Sequence, residues 1–352
     1  MLKKISVLLL TLILALSVGC GKNKDKLSVE KGDDAQNSAA SSADSGEELE
    51  NGVLNPLTGL KDLNPEDVNL RPAAVMINNI SQAQTVQTGL NEADIVYETE
   101  VEGGITRLLA VFKDIKNVKQ LGTVRSARYC FIDLALGHDA IYVHHGQDAY
   151  HAAPHLRDVD AFTVSEKAGG ARITNGLSRE HTLYAYGDKL WQVLGNNGYN
   201  LEASSTEPWQ TFTEKAKLSN TANSVSAKFS ASYITKFVYN PDTAKYRRYS
   251  GSTERVDYVT NEKIEFKNIF VLKTTIRNFN CTGSDTYHHK DVVLDLGSGY
   301  YFSNGKYEEI NWTKGASSNG FKFTKADGTA LEVSAGNSWV CIINKNNSVT
   351  IE

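Results

Sequence analysis

The chain has 352 residues, 41% of them hydrophobic, with 27 Gly, 6 Pro and a formal net charge of −4. At roughly 150 residues per domain this length allows about two domains. The long apolar run is confined to the first 20 residues, which excludes a multispanning membrane protein. The mildly acidic balance excludes an overall basic footprint for nucleic acid.

Lys3 and Lys4 precede an apolar stretch over residues 5–16, followed by Ser17-Val18-Gly19-Cys20. A positive start, an apolar middle and small residues before a cleavage point predict an export signal over residues 1–19. Its apolar part is short of the roughly 20 residues needed to span a bilayer. The ending on Gly19-Cys20 resembles the lipobox of bacterial lipoproteins. That resemblance implies a mature N-terminus at Cys20, acylated (palmitate) through a diacylglyceryl thioether and anchored on the outer face of the cell membrane. Residues 21–50 then carry four Lys and eight Asp or Glu among Ser, Ala and Gly. A stretch so poor in large apolar groups cannot offset its ordering entropy, so residues 20–52 are expected to be a disordered tether. A flexible coil of roughly 30 residues has an end-to-end distance of about 30 Å.

An ordered region is expected from residue 53. Ala73 to Ile77 reads as a buried strand. Residues 94–102 alternate, with Glu98, Glu100 and Glu102 on one side and Tyr97 and Val101 on the other, and Gly103-Gly104 then leads into a second β-rich run, 105–112. This pattern predicts a hairpin with a primed turn. Gly122 to Arg128 leads into a helix with Ser126 as its expected N-cap, Ala127, Cys130, Phe131 and Leu134 on one face, and Gly137 at its end. Ala140 to His144 reads as a strand, and Trp191 to Leu194 as part of a second helix. From about residue 220 the texture becomes short strands between turns, with Asn304-Gly305 and Asp327-Gly328 as hairpin signals. The expected class is α+β: a mixed-sheet N-terminal domain over 53–219 and a smaller β-rich C-terminal domain over 220–352.

With Cys20 committed to lipid, Cys130, Cys281 and Cys341 remain, and no CxxC is present. Zinc-site and thioredoxin-type readings therefore fail, and the apolar surroundings of Cys130 and Cys341 suit inert buried thiols.

Four stretches carry a family resemblance: residues 71–79 (RPAAVMINN), 89–98 (GLNEADIVYE), 102–107 (EGGITR) and 122–128 (GTVRSAR). They resemble the YerB-like lipoproteins of Gram-positive bacteria, a domain of unknown function with a separate C-terminal domain. The likeness runs from about residue 55 to the end, including Asn311 to Lys314. Where that family carries a His-x-Gly-Gly-Ser type loop, this chain reads His144-His145-Gly146-Gln147-Asp148. The resemblance implies a membrane-anchored, two-domain extracytoplasmic protein.

The chemistry-bearing groups fall into four sets. A glycine loop feeding a helix start, with Arg107, Arg125 and Arg128 nearby, suits a phosphate or carboxylate. Glu98 and Glu102 of the acidic strand are its candidate partners, either closing a structural salt-bridge network or completing a ligand site. A histidine group, His138, His144, His145, His151 and His155, has one i, i+4 pair, but Pro154 lies inside it, and metal is not expected. No GxSxG is present, and the SxxK matches at Ser28 and Ser303 fall in the tether and in a turn. Tyr246, Tyr249, Tyr258, Tyr300, Tyr301 and Trp312 could present rings to a sugar or a protein, although most such residues are core. The sequence thus points to a binding or adaptor lipoprotein. It would need no cofactor and would recognise an anionic ligand, an envelope protein or a wall polymer. The alternative is a cell-wall hydrolase or transferase working through the acidic strand or the histidines.

Overall fold

The computed structural model describes residues 48–280 and 287–352. The export signal, Cys20, Cys281 and the tether up to residue 47 lie outside the described residues. The described residues belong to one compact unit.

Its centre is a mixed sheet of 11 strands. In chain order they are β1 (Ala73–Asn78), β2 (Ile95–Glu100), β3 (Thr106–Phe112), β4 (Ile141–His144), β5 (Ala161–Thr163), β6 (Asn220–Thr221), β7 (Asn268–Thr274), β8 (Leu296–Ser303), β9 (Lys306–Thr313), β10 (Lys322–Lys325) and β11 (Ser338–Asn344). The lateral order is β6-β9-β8-β7-β11-β2-β3-β1-β4-β5, with β10 on β9. β2 and β3 pair antiparallel across the Glu102–Gly104 turn, where Gly103 and Gly104 take φ of +71° and +70°. β8 and β9 pair across Asn304-Gly305, both at positive φ, as a primed turn requires. β1, β4 and β5 run parallel. β11 runs parallel to both β2 and β7, so the penultimate strand of the chain joins the two sequence halves into one sheet.

Both faces of that sheet are covered, which is why its strands read as nearly continuous apolar runs. On one face Ala74, Met76, Tyr97, Leu109 and Tyr142 pack with helix α1 (Tyr129–Leu136) through Phe131, Leu134 and Ala135, and with Trp312, Phe321 and Phe323. On the other, Val75, Val96, Leu108 and Val143 pack with Leu190 and Leu194 of a later helix, Gly187–Asn196, and with Val225, Phe237 and Tyr246 of a second sheet. Tyr246, Tyr301 and Trp312 are core residues, whereas Tyr258 is exposed. Cys130 and Cys341 are buried free thiols. Among the described residues no helix is long and apolar enough to cross a membrane.

Helix α1 corrects one sequence expectation. Its N-cap is Arg128, in extended conformation and without a side-chain capping bond, rather than Ser126. The preceding segment is held extended by the strands it crosses: Val124 bridges Ile77, and Ala127 bridges Gln147. Gly137 ends the helix as expected, at a position where a Cβ would lie 2.7 Å from the Asn319 carbonyl oxygen.

Candidate functional site

Asn78 and Arg107 are register partners on β1 and β3. Strand alternation places Arg107 on the same face as Leu109, the face covered by α1. The segment 122–128 passes over this end of the sheet. The Arg125 amide donates to the Met76 carbonyl (2.9 Å), the His145 amide to the Arg125 carbonyl (3.0 Å), and the Ala127 amide to the Gly146 carbonyl (2.9 Å). Arg125 and Arg128 are thereby delivered beside Arg107, at the carboxyl ends of the parallel strands β1 and β4. In open α/β sheets that end is where ligands bind.

The amides of Gly122, Val124, Arg125 and Ala127 all donate to protein acceptors. The expected glycine loop with outward-pointing amides is therefore an extended segment in which these four amides are engaged, and the guanidinium groups are its charged donors for an anion.

Arg128 forms a two-pronged pair with Glu102, its Nε donating at 2.8 Å and a terminal nitrogen donating to the other carboxylate oxygen. Arg107 approaches the same carboxylate at 3.9 Å and donates to the Ser126 carbonyl at 3.2 Å. Burial alone would raise the Glu102 pKa, but the Arg128 hydrogen bond and the charges of Arg128 and Arg107 outweigh it and hold the group at about 2. Burial, reinforced by repulsion from Arg128 and Arg125, lowers Arg107 to about 9. Arg125 donates to both the side chain and the backbone carbonyl of Glu180, and that hydrogen bond draws the Glu180 carboxyl below its ordinary range. The Nε atoms of Arg107 and Arg125 are buried and donate to no protein acceptor.

Glu98 lies elsewhere. It shares the Val96 face of β2, opposite the face of Arg107, and is 0% exposed. Its carboxylate accepts from Asn79 (3.0 Å), Thr106 (2.9 Å), Thr235 (3.0 Å) and Trp339 Nε1 (3.1 Å). Arg248, also 0% exposed, donates to Asn79 Oδ1 (2.9 Å) and Gln87 Oε1 (3.1 Å) and lies over the Trp339 ring. The amide of Asn79 thus links a buried carboxylate to a buried guanidinium across the two halves of the chain. Glu100 pairs with Lys290 at 3.0 Å. The three glutamates that alternation aligned diverge into three environments.

The histidines are likewise dispersed. His138 meets the Tyr97 hydroxyl (2.7 Å), and burial lowers its pKa to about 4. The Nδ1 atoms of His144 and His145 contact the carbonyls of Gly146 and Val164. His151 stacks on Phe279, and His155 pairs with Asp133. Among the described residues no three His, Cys, Asp or Glu converge as metal ligands would. A cleft of about 960 Å³, lined by Trp209, Phe212, Phe321 and Phe323 among others, shares no residue with the arginine cluster.

Sequence reasoning missed Asn78, Glu180 and His181. Asn78 lies inside the recognised stretch 71–79, but no local pattern marks the other two. They arrive through the connection between strands Gly170–Arg172 and Leu183–Ala185, which pair antiparallel.

Comparison with known proteins fits this architecture. A family model described as "Protein of unknown function (DUF3048) N-terminal domain" matches residues 57–200, and its C-terminal counterpart matches 225–340. The chain is 30% identical over 305 residues to the protein named "Putative lipoprotein YerB" of Bacillus subtilis, covering 82% of this chain and 85% of that one. The crystal structure of the YerB protein from the same organism superposes with a TM-score of 0.73 at 28% identity, covering 85% of this chain and 99% of the other. The mixed sheet, the two matched domains and the similarity along most of the chain make this protein a member of the YerB-like DUF3048 family of lipoproteins.

Proposed function

We propose that this lipoprotein is a binding or adaptor protein on the outer face of the cell membrane, held by lipid on Cys20 and a tether over residues 20–52. Its folded part recognises an anionic group on an envelope protein or wall ligand through Arg107, Arg125 and Arg128, with Glu102 setting the spacing of Arg107 and Arg128. Glu98 belongs to this reading only as the buried strut of the sheet that carries them.

One observation carries the proposal. Three guanidinium groups gather at a strand end, Arg107 and Arg128 on the interior carboxylate of Glu102 and Arg125 beside Arg107, and two of their Nε donors are buried without an acceptor. A buried polar group without a partner costs roughly 1–3 kcal/mol. Arg248 Nε carries that cost inside the closed core, whereas the arginine cluster reaches solvent through Arg125, where an incoming group can supply the missing acceptors. An oxyanion does so, because Arg presents a planar fork to carboxylate and phosphate oxygens.

The test is in-cell crosslinking and pulldown of the full-length protein, comparing wild type with Arg125→Ser and with Arg125→Ser/Arg128→Ser, circular dichroism confirming that each variant folds. A partner captured by wild type and lost by the folded variants is the expected result. An unchanged set of partners would return the arginines to a structural role.

A further inference from the structure

Glu180 occupies an unusual position within the cluster. Its side chain is 54% exposed, yet the carboxylate is paired with Arg125, whose own side chain is only 22% exposed. The carboxylate also lies 3.5 Å from His181 Nε2. The Asn78 side-chain amide donates to His181 Nδ1 at 2.8 Å, while Asn78 Oδ1 accepts from the Ile80 amide. This orientation of the amide leaves the His181 proton on Nε2, 3.5 Å from a Glu180 carboxylate oxygen. Burial lowers the His181 pKa, so at neutral pH the pair Arg125–His181 presents one positive charge and one neutral donor. That combination matches a monoanion.

Beneath it, Arg107 is 4% exposed with its Nε unpartnered. Arg125 likewise keeps a buried, unpartnered Nε while its terminal nitrogens engage Glu180. Glu180 therefore satisfies only the outer part of the site. It reaches the site from a short turn, Arg179–His181, and a rotation of its half-exposed side chain is sufficient to vacate the position.

Resting on the anion-site reading above, we propose that Glu180 is an internal substitute for the ligand. The group this site takes is a carboxylate carried by a peptide, which displaces Glu180 from Arg125 and His181. The peptide carboxylate can come from a chain terminus or from an acidic side chain, and the two are separated by the probes below. The self-supplied carboxylate lowers the apparent affinity of the site, because an incoming carboxylate must first compete with it.

The experiment is calorimetric titration of the full-length lipoprotein in detergent with three probes: Nα-acetyl-Ala-Ala with a free C-terminus, Nα-acetyl-Glu amide, and inorganic phosphate. Wild type, Glu180→Ala and Arg125→Ala are compared, and thermal melting confirms that each folds. The expected result is that Glu180→Ala binds one of the carboxylate probes up to about fivefold more tightly than wild type, the ceiling of a surface ion pair. Arg125→Ala is expected to lose that binding. The probe that gains shows whether a terminus or a side chain is preferred. Equal affinity in wild type and Glu180→Ala, with loss in Arg125→Ala, would overturn the substitute role of Glu180 and leave the anion site standing. Phosphate binding to Glu180→Ala without carboxylate binding would overturn the ligand class. Binding of no probe by any variant, or undiminished binding by Arg125→Ala, would overturn both this inference and the anion site.

Discussion

Arginine meets acid in two places in this molecule, and the two are built on opposite terms. Around Glu98 and Arg248 everything is enclosed. The Asn79 amide uses both of its hydrogens and its oxygen accepts twice, and Glu98 collects four kinds of donor. Around Arg107, Arg125 and Arg128 positive groups outnumber the acid that is withdrawn from solvent, and two donors have no acceptor. Arg248 Nε also lacks an acceptor, so the two regions differ in access: the first is closed off within the core, and the second reaches solvent through Arg125 and Glu180. The sealed network therefore reads as structure and the solvent-reaching one as a place for something else.

That contrast can be tested by removing parts of each region. The largest effect is expected from Arg248→Met, which leaves Glu98 buried with its compensating charge gone. Breaking one partner of such a network costs about 3–5 kcal/mol, measurable as a lower urea midpoint, and adding Glu98→Gln should recover part of the loss. Glu102→Gln comes next, at about 1.5–3 kcal/mol, the usual range for a hydrogen bond to a charged group. Its pH dependence has a definite sign. The Glu102 carboxyl is depressed from 4.5 to about 2 in the folded protein, so its contribution is fully present above pH 4.5 and is lost as the pH falls toward 2. Urea melts of wild type and Glu102→Gln should therefore converge over that window.

Smaller still is Arg107→Met. Removing an under-partnered buried guanidinium should change stability by less than about 1 kcal/mol or raise it, while anion binding is lost. A large destabilisation would place Arg107 with Arg248 as a structural charge. Arg125→Ser should be the mildest, within about 0.5 kcal/mol, because its visible partner is a half-exposed carboxylate. A thermal melt of the variant alongside the pulldown checks this.

How far the sequence reached depended on the range of the interaction. Turn chemistry is local, so Gly103-Gly104 and Asn304-Gly305 mark hairpins that the structure contains. Alternation is local too, and it correctly puts Tyr97 and Glu98 on opposite sides of β2. Alternation cannot say that both sides are covered, which turns Glu98 from a candidate ligand contact into a core residue. Ser126 has the chemistry of a helix cap, but the pairing of its neighbours with β1 and the loop after β4 keeps the chain extended until Arg128. Arg107, Arg125 and Arg128 were legible as a group because they sit in recognisable short stretches. Glu180 and His181 were not, because only the pairing of two three-residue strands carries them there.

The placement of β11 has a consequence for how the protein is made. Residues 338–344 lie between β2 and β7, bonded to both, and the Thr99 hydroxyl donates to the Ile342 carbonyl at 2.8 Å. A chain emerging from the ribosome, N-terminus first, has its first three sheet strands available long before the strand that fits beside them. Until that last segment is released, β2 and β7 each expose a row of unpaired backbone groups, the kind of edge that recruits other chains. Premature termination shortly before residue 338 would therefore leave not a trimmed protein but two open sheets, and quality control would meet them as an aggregation hazard.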